Sequence, residues 1–327
     1  MSFATLGIIG GGAWGTALAQ VAAAGDVPTL IWAREAEVVD AINADHANPL
    51  FLPGIALSPR VRAVASLDGL APADALLVVT PVQAMAVTLA GLARLAPRPL
   101  VLCAKGFGPS GRSVAEIAAA TLPGWPLAVL SGPTFAAEVA RGLPTAVTLA
   151  CANETLGRAL CDRLARPAFR PYWSRDITGT CVGGAVKNVL AVACGVVAGR
   201  SLGDNARAAV ITRGFAEMLR YGLATGAEAA TLGGLSGLGD LVLTCTGAAS
   251  RNFSFGFALG QGQPASDLLI GSRTIAEGAA TAPILAAAAA ARGIDMPIVA
   301  AVAGLIDGSS RVEAAIADLL NRPLKAE

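Results

Sequence analysis

Lysine is so scarce in this chain that each one demands a reason. Lys and Arg together number 24, yet only Lys105, Lys187 and Lys325 are lysine. Lys325 belongs to the C-terminal tail. Lys105 follows an apolar run in Ala104-Lys105-Gly106, and Lys187 stands inside Gly183-Gly184-Ala185-Val186-Lys187-Asn188-Val189-Leu190. An ammonium is compact and sheds its proton when desolvated, which a guanidinium does not. Burial lowers a lysine's pKa, the adjustment needed by a general acid or base working near neutral pH. Both lysines are therefore candidates for proton transfer, Lys187 first. One carboxylate, Asp240, occupies a similarly apolar and glycine-rich run, from Gly237 to Thr246. Ser250-Arg251-Asn252 follows it, and a guanidinium fork beside an amide matches the oxygens of a phosphate. Ordinary roles compete for each segment taken alone: turns and caps for 104–106 and 131–135, a helix cap for Asp240, a solvated surface for Arg251.

A second constellation lies at the start of the chain. Gly10, Gly12 and Gly15 fit G-x-G-x-x-G between an apolar strand and an apolar helix. The first glycine permits the tight turn, the second lets backbone approach a pyrophosphate, and the third lets helix pack on strand. The helix N-terminus adds free N–H groups and its dipole. The next strand ends in Trp32-Ala33-Arg34-Glu35. An acid at this place holds the ribose 2′-OH of NAD, whereas an arginine accepts the 2′-phosphate of NADP. With Arg34 first, NADP(H) is the expected cofactor and NAD(H) is tolerated.

These groups need elements to hold them. Leu6–Ile9, Thr29–Trp32, Ala75–Thr80, Leu100–Cys103, Leu127–Leu130 and Ala146–Ala150 read as buried strands, with Phe169–Trp173 as an edge strand. Helix-like segments separate them at 13–24, 36–44, 83–95 and 113–120. The alternation predicts an α/β, Rossmann-like, doubly wound parallel sheet. Beyond residue 176 the strands stop, and segments near 179–198, 206–224, 280–292, 297–306 and 312–320 read as helices. The expected organisation is a dinucleotide-binding domain over 1–176 and an all-α substrate and catalytic domain over 177–327. Gly183 is expected to open a long apolar helix, and Pro133 to take the first position of another.

Composition excludes several classes. Hydrophobic residues reach 54% and mean hydropathy is +0.61, but charged residues still make up 14% and much of the apolar share is alanine. The most apolar stretch, 182–198, carries Lys187 and Asn188, so a buried core helix is expected and no membrane span. A net charge of +1 implies neither nucleic acid nor a membrane surface as partner. Met1-Ser2-Phe3-Ala4-Thr5 has no basic residue and runs into a strand, so no signal peptide is expected. The six cysteines show no C-x-x-C pair and read as core residues of a reducing compartment. His46 is the single histidine, which excludes a His-rich metal site.

Taken together, residues 10–18 (Gly-Gly-Gly-Ala-Trp-Gly-Thr-Ala-Leu), 104–106, 131–136 (Ser-Gly-Pro-Thr-Phe-Ala), 183–189, 211–214 (Ile-Thr-Arg-Gly), 237–246, 250–252 and 277–282 (Glu-Gly-Ala-Ala-Thr-Ala) resemble, in order, the motifs of the bacterial-type NAD(P)-dependent glycerol-3-phosphate dehydrogenase family. The resemblance spans nearly the whole chain. It implies reversible reduction of dihydroxyacetone phosphate to sn-glycerol 3-phosphate in the cytoplasm, supplying glycerophospholipid synthesis, by a homodimer. Carried over residue by residue, Lys187 is the catalytic proton donor and acceptor. Lys105, Gly132, Thr134, Asn188, Asp240 and Thr244 surround the substrate, and Ser250, Arg251 and Asn252 hold its phosphate. Gly10, Gly12, Ala13, Trp14, Gly15, Arg34, Lys105, Ala136, Arg251 and Glu277 match cofactor contacts. Two rivals stay open at this point: another two-domain dehydrogenase acting on a 3-hydroxy acid or a ketopantoate-like substrate, and a non-catalytic NADP-binding sensor. The first has no need of the Ser-Arg-Asn clamp, the second none of Lys187 and Asp240 in apolar helices.

Overall fold

The computed structural model describes residues 3–25, 27–270 and 276–321, so Lys325 lies outside the described residues. The chain divides into two compact units, Met1–Lys105 with Arg112–Cys181 and Gly106–Gly111 with Val182–Glu327. The expected boundary at 176 falls at the head of the helix within which the units divide.

In the first unit the order is β1 (Leu6–Ile9), α1 (Ala13–Ala23), β2 (Thr29–Trp32), α2 (Ala36–Asp45), β3 (Ala47–Asn48), β4 (Leu52–Ala56), β5 (Val61–Val64), β6 (Ala75–Val78), α3 (Val82–Ala90), β7 (Leu100–Leu102), α4 (Val114–Thr121), β8 (Leu127–Ser131), α5 (Ala136–Ala140), β9 (Thr145–Ala150), α6 (Glu154–Leu164) and β10 (Phe169–Ser174). One sheet runs β10-β9-β8-β7-β6-β1-β2-β5, and β3 and β4 form a separate hairpin. The chain leaves β1 toward β5 and returns to β6 on the other side of β1. Strand order therefore reverses between β1 and β6, the switch point at whose carboxyl ends open α/β sheets bind ligands. Both faces are covered. Ala75 and Leu77 of β6 join the core formed with α1, α2 and α6, while Leu76 and Val78 join the one formed with α3 and α4.

The expected parallel sheet holds from β5 to β8 and fails beyond. β9 runs antiparallel to β8, and β10 parallel to β9. The single-turn α5 does not carry the chain back along the sheet, so β9 starts at the end where β8 stops. Pro133 does not open α5, which begins three residues later at Ala136. Elements that the apolar pattern did not reveal are β3, β4 and β5, together with α5 and α6. β5 is an edge strand that alternates buried Val61 and Ala63 with Arg62, and β4 contains Pro53 and Gly54.

The second unit, among its described residues, is helical: α7 (Ile177–Gly199), α8 (Gly203–Ala224), α9 (Ala229–Leu232), a π-turn over Leu235–Gly239, α10 (Asp240–Cys245), α11 (Arg251–Gly260), α12 (Ala265–Ile270), α13 (Glu277–Ala290), α14 (Pro297–Asp307) and α15 (Val312–Leu320). Gly183 does not open α7. The helix starts six residues earlier, where Asp176 Oδ1 accepts the Gly179 N–H at 2.7 Å and caps it. α7 has the length and apolarity of a membrane-crossing helix, but 89% of its most apolar window is buried. Its small residues let neighbours touch backbone: a Cβ on Gly195 would run into the Phe253 carbonyl of α11, and one on Gly256 of α11 into the Val192 carbonyl of α7. All six cysteines are buried and free.

Two helices of this unit lack a cap of their own and receive one from a neighbour. The Met296 side chain gives α14 none, and Glu217 of α8, 1% exposed, accepts the Ile298 and Val299 N–H groups at 2.7 and 3.1 Å. Burial dominates the titration of Glu217 and raises its pKa from 4.5 to about 7, against the lowering pull of those two hydrogen bonds. An acid with a folded-state pKa above its unfolded value adds stability below the unfolded value, and that stability is lost as pH rises through the folded one. Relative to Glu217→Gln, which does not titrate, wild type is therefore expected to lose on the order of 3 kcal/mol between about pH 4.5 and 7. Melting temperatures of both proteins near pH 5 and pH 8 measure this; a relative gain by wild type at the higher pH contradicts it.

Candidate active site

In the first unit the loop between β1 and α1 has the form its sequence predicts. Gly10 adopts φ +122, and a Cβ on it would lie 3.2 Å from Val79 C and 3.3 Å from Thr80 N at the carboxyl end of β6. A Cβ on Gly15 would run into the Gly10 carbonyl oxygen, so helix and strand pack only without one. Gly12, the N-cap of α1, opens onto empty space, with nothing within 4 Å of a Cβ built on it. Ala13 and Trp14 begin the helix. Trp14 Nε1 and Thr80 Oγ1 are buried polar atoms without a protein partner. Such groups are costly unless a ligand satisfies them. An open cradle at a helix N-terminus, at the switch point of the sheet, fits a dinucleotide pyrophosphate.

The loop is held from behind by a residue that motif reading missed. Asn48, fully buried, donates from Nδ2 to the Gly11 carbonyl and to Thr16 Oγ1, both at 2.8 Å, and its Oδ1 accepts the Phe51 N–H at 3.2 Å. It stands on β3, a two-residue strand with no periodicity to betray it. Arg34 follows β2 with its side chain 83% exposed and bonds Glu35 Oε1 at 2.8 Å. Lys105 Nζ donates to the Gly132 carbonyl at 3.0 Å and to Thr134 Oγ1 at 3.4 Å, so three of the expected substrate residues do meet. Gly132 has φ +154, and a Cβ on it would lie 2.9 Å from Val147 Cα of β9. Ala136 is the first residue of α5.

The second unit joins Lys187 of α7 to α10. Lys187 Nζ donates to Asp240 Oδ1 and to Thr244 Oγ1, both at 2.9 Å, with the two charged side chains 8% and 0% exposed. The Thr244 hydroxyl donates to the backbone carbonyl of Asp240 at 2.6 Å, which turns its lone pairs toward the ammonium. A buried carboxylate is tolerated only when paired in this way. The approach depends on Gly183, one turn before Lys187. A Cβ there would run into the Ser236 carbonyl and lie 2.9 Å from Gly237 Cα, in the π-turn that delivers Asp240. Next to Asp240 and Thr244, Cys245 is inert as a nucleophile. A hydrogen bond with the Cys194 thiol and then burial push its pKa well above the usual value.

Asn188, one residue on, reaches Glu277 Oε2 of α13 at 3.3 Å and accepts from Asn252 Nδ2 at 2.9 Å. Ser250 caps α11 by accepting the Phe253 N–H at 3.3 Å, and Arg251 is exposed on the first turn of that helix, whose dipole favours an anion.

Dehydrogenases that bind a nicotinamide dinucleotide on a doubly wound sheet and carry their acid–base group on a helical unit form a class, and the chain has the architecture and polar groups of that class. The family model described as the NAD-dependent glycerol-3-phosphate dehydrogenase N-terminus matches residues 5–157, and that of its C-terminus matches 176–317. A glycerol-3-phosphate dehydrogenase, NAD(P)+, of Sphingopyxis alaskensis is 56% identical over 327 residues, covering 100% of this chain and 99% of its own. One of Erythrobacter litoralis is 55% identical over 325 residues, with 99% and 98% covered. The crystal structure of glycerol-3-phosphate dehydrogenase from Coxiella burnetii superposes with a TM-score of 0.93 at 37% identity, covering 97% of this chain and 99% of that one. The chain belongs to the NAD-dependent glycerol-3-phosphate dehydrogenase family. This membership disfavours the ketopantoate-type and sensor alternatives.

If Asn48 shapes the phosphate loop, Asn48→Ala should weaken NADPH binding roughly tenfold, about the worth of one hydrogen bond with its unsatisfied partner. Quenching of tryptophan fluorescence by NADPH measures it. An unchanged Kd in a folded variant would show that the loop keeps its form unaided.

Proposed function

We propose that the chain reduces dihydroxyacetone phosphate to sn-glycerol 3-phosphate, reversibly, with NADPH or NADH. The observation that carries this reading is the Lys187 ammonium, buried and fixed by Asp240 and Thr244. Bound NAD(P)H supplies a hydride for C2 of the ketone. The C2 oxygen gathers negative charge as it is reduced, and Lys187 stabilises that charge and protonates the oxygen. In the reverse direction Lys187, as free base, takes the hydroxyl proton. Asp240 and Thr244 set two of the ammonium's N–H directions, so that it waits in place without reorganisation.

Lys105, Gly132 and Thr134 are assigned to the substrate, Lys105 also to the cofactor. Ser250, Arg251 and Asn252, at the N-terminus of α11, are assigned to the phosphate, whose binding positions C2 for transfer. Arg251 and Glu277, like Ala136, are further cofactor contacts. On this reading residues 1–176 serve the cofactor and 177–327 the substrate, and the enzyme works as a cytoplasmic homodimer that supplies glycerophospholipid synthesis. Arg34 marks NADP(H) as the preferred cofactor. Its partner Glu35 is a weak competitor, because an exposed ion pair is worth at most about 1 kcal/mol, and a 2′-phosphate can take its place.

NADPH oxidation on addition of dihydroxyacetone phosphate tests the activity. Lys187→Ala should bind NADPH as wild type does, while kcat falls about 10²–10⁴-fold, the usual worth of a placed proton donor. Lys187→Arg should not restore it, since a guanidinium holds its proton too firmly. Retained turnover in Lys187→Ala would move the role to another residue. Separately, Arg34→Asp should raise the KM for NADPH far more than that for NADH; equal changes would remove Arg34 from the cofactor site.

A further inference from the structure

Asn188 and Asn252 were assigned to the substrate by resemblance, yet their amides are engaged with each other and with α13. The Ala276 side chain does not cap α13. Asn252 Oδ1 does so from across the unit, accepting the Gly278 N–H at 2.9 Å. A backbone N–H is only ever a donor, so this bond decides which end of the Asn252 amide is oxygen. Its Nδ2 is then turned to Asn188 Oδ1, at 2.9 Å. That in turn decides the Asn188 amide, whose Nδ2 meets Glu277 Oε2 at 3.3 Å. The three bonds form a one-way chain from the first turn of α13, through two amides 8% and 2% exposed, back to a carboxylate on that same turn. Gly278 makes the docking feasible. A Cβ on it would strike the Asn188 carbonyl oxygen and lie 3.0 Å from Asn252 Oδ1.

We infer that Asn188 is a positioning residue that acts through Glu277: oriented by Asn252, its amide fixes the Glu277 carboxylate for the cofactor. The inference rests on the proposed role of Glu277 as a cofactor contact in the dehydrogenase reaction. It makes a distinctive demand. Asn188→Asp keeps an acceptor toward Asn252 but turns an oxygen, in place of an N–H, toward Glu277. Glu277→Gln added to it restores a hydrogen bond with donor and acceptor exchanged.

The measurement is the Kd for NADPH by fluorescence titration, with the KM for dihydroxyacetone phosphate alongside and a melting curve for each variant. Asn188→Asp is expected to raise the Kd about tenfold to a hundredfold, the worth of a hydrogen bond to a charged group. Asn188→Asp with Glu277→Gln should recover most of it. Should Asn188→Asp not fold, a cycle of Asn188→Ala, Glu277→Ala and the two combined replaces it. The Asn188 change should then have little further effect on Kd once Glu277 is alanine. A rise confined to the substrate KM, an absence of rescue, or additive effects in the alanine cycle would each overturn the inference and return Asn188 to the substrate. Wild type inactive on dihydroxyacetone phosphate would refute the reaction and not this coupling, which the Kd values read independently.

Discussion

A charged lysine in a helical core is the constraint from which the second unit follows. Lys187 lies near the middle of α7, with its side chain only 8% exposed. Its charge must be met by protein. Asp240 meets it, but only because α7 and the π-turn approach to backbone contact at Gly183 and Gly237. The same helix accepts α11 at Gly195 and α13 at the Asn188 carbonyl. Close backbone approach thus substitutes for large side chains, and polar groups fill the places where it occurs. Each half of the ion pair makes the other tolerable, since breaking a buried pair costs about 3–5 kcal/mol by stranding a charge.

The first unit obeys a different rule. Its phosphate loop carries no charged side chain at Gly10–Gly15, and its chemistry lies in backbone N–H groups. Gly10 and Gly15 have no room for a side chain, which leaves little scope for change within the loop. Support comes from outside instead, where Asn48 behind the loop bonds the Gly11 carbonyl and Thr16.

Local signals in the sequence were read well where one residue type has one physical reason. The strands β1 and β2 have the bounds that their apolar runs indicated, and Gly10 and Gly15 do what the spacing required. Lys187 and Asp240 stand out by their apolar, glycine-rich settings, Thr244 only by the family resemblance, and the three, 57 residues apart at the extremes, meet in space. What stayed hidden depends on long-range register. Nothing local to Ala47-Asn48 announces a strand, and nothing around Glu217 says that it caps a helix 81 residues on. The reversal of β9 was hidden for the same reason, because strand direction is set by the path of α5 and not by the composition of the strand. In each case the informative partner is distant, and a pattern of period two or 3.6 carries no trace of it.

α7 also bears on how the chain is made. It is synthesised before α10, α11 and α13, the elements that cover it. Until they emerge, α7 is a 23-residue apolar segment without its cover, and its most apolar window has a mean hydropathy of 1.8. Such a segment resembles what the membrane-insertion machinery accepts. A lysine at its centre is among the residues that machinery penalises most, by about 2.5–3.5 kcal/mol. The ammonium assigned to the ketone oxygen thus also weighs, by the same penalty, against insertion of the uncovered helix.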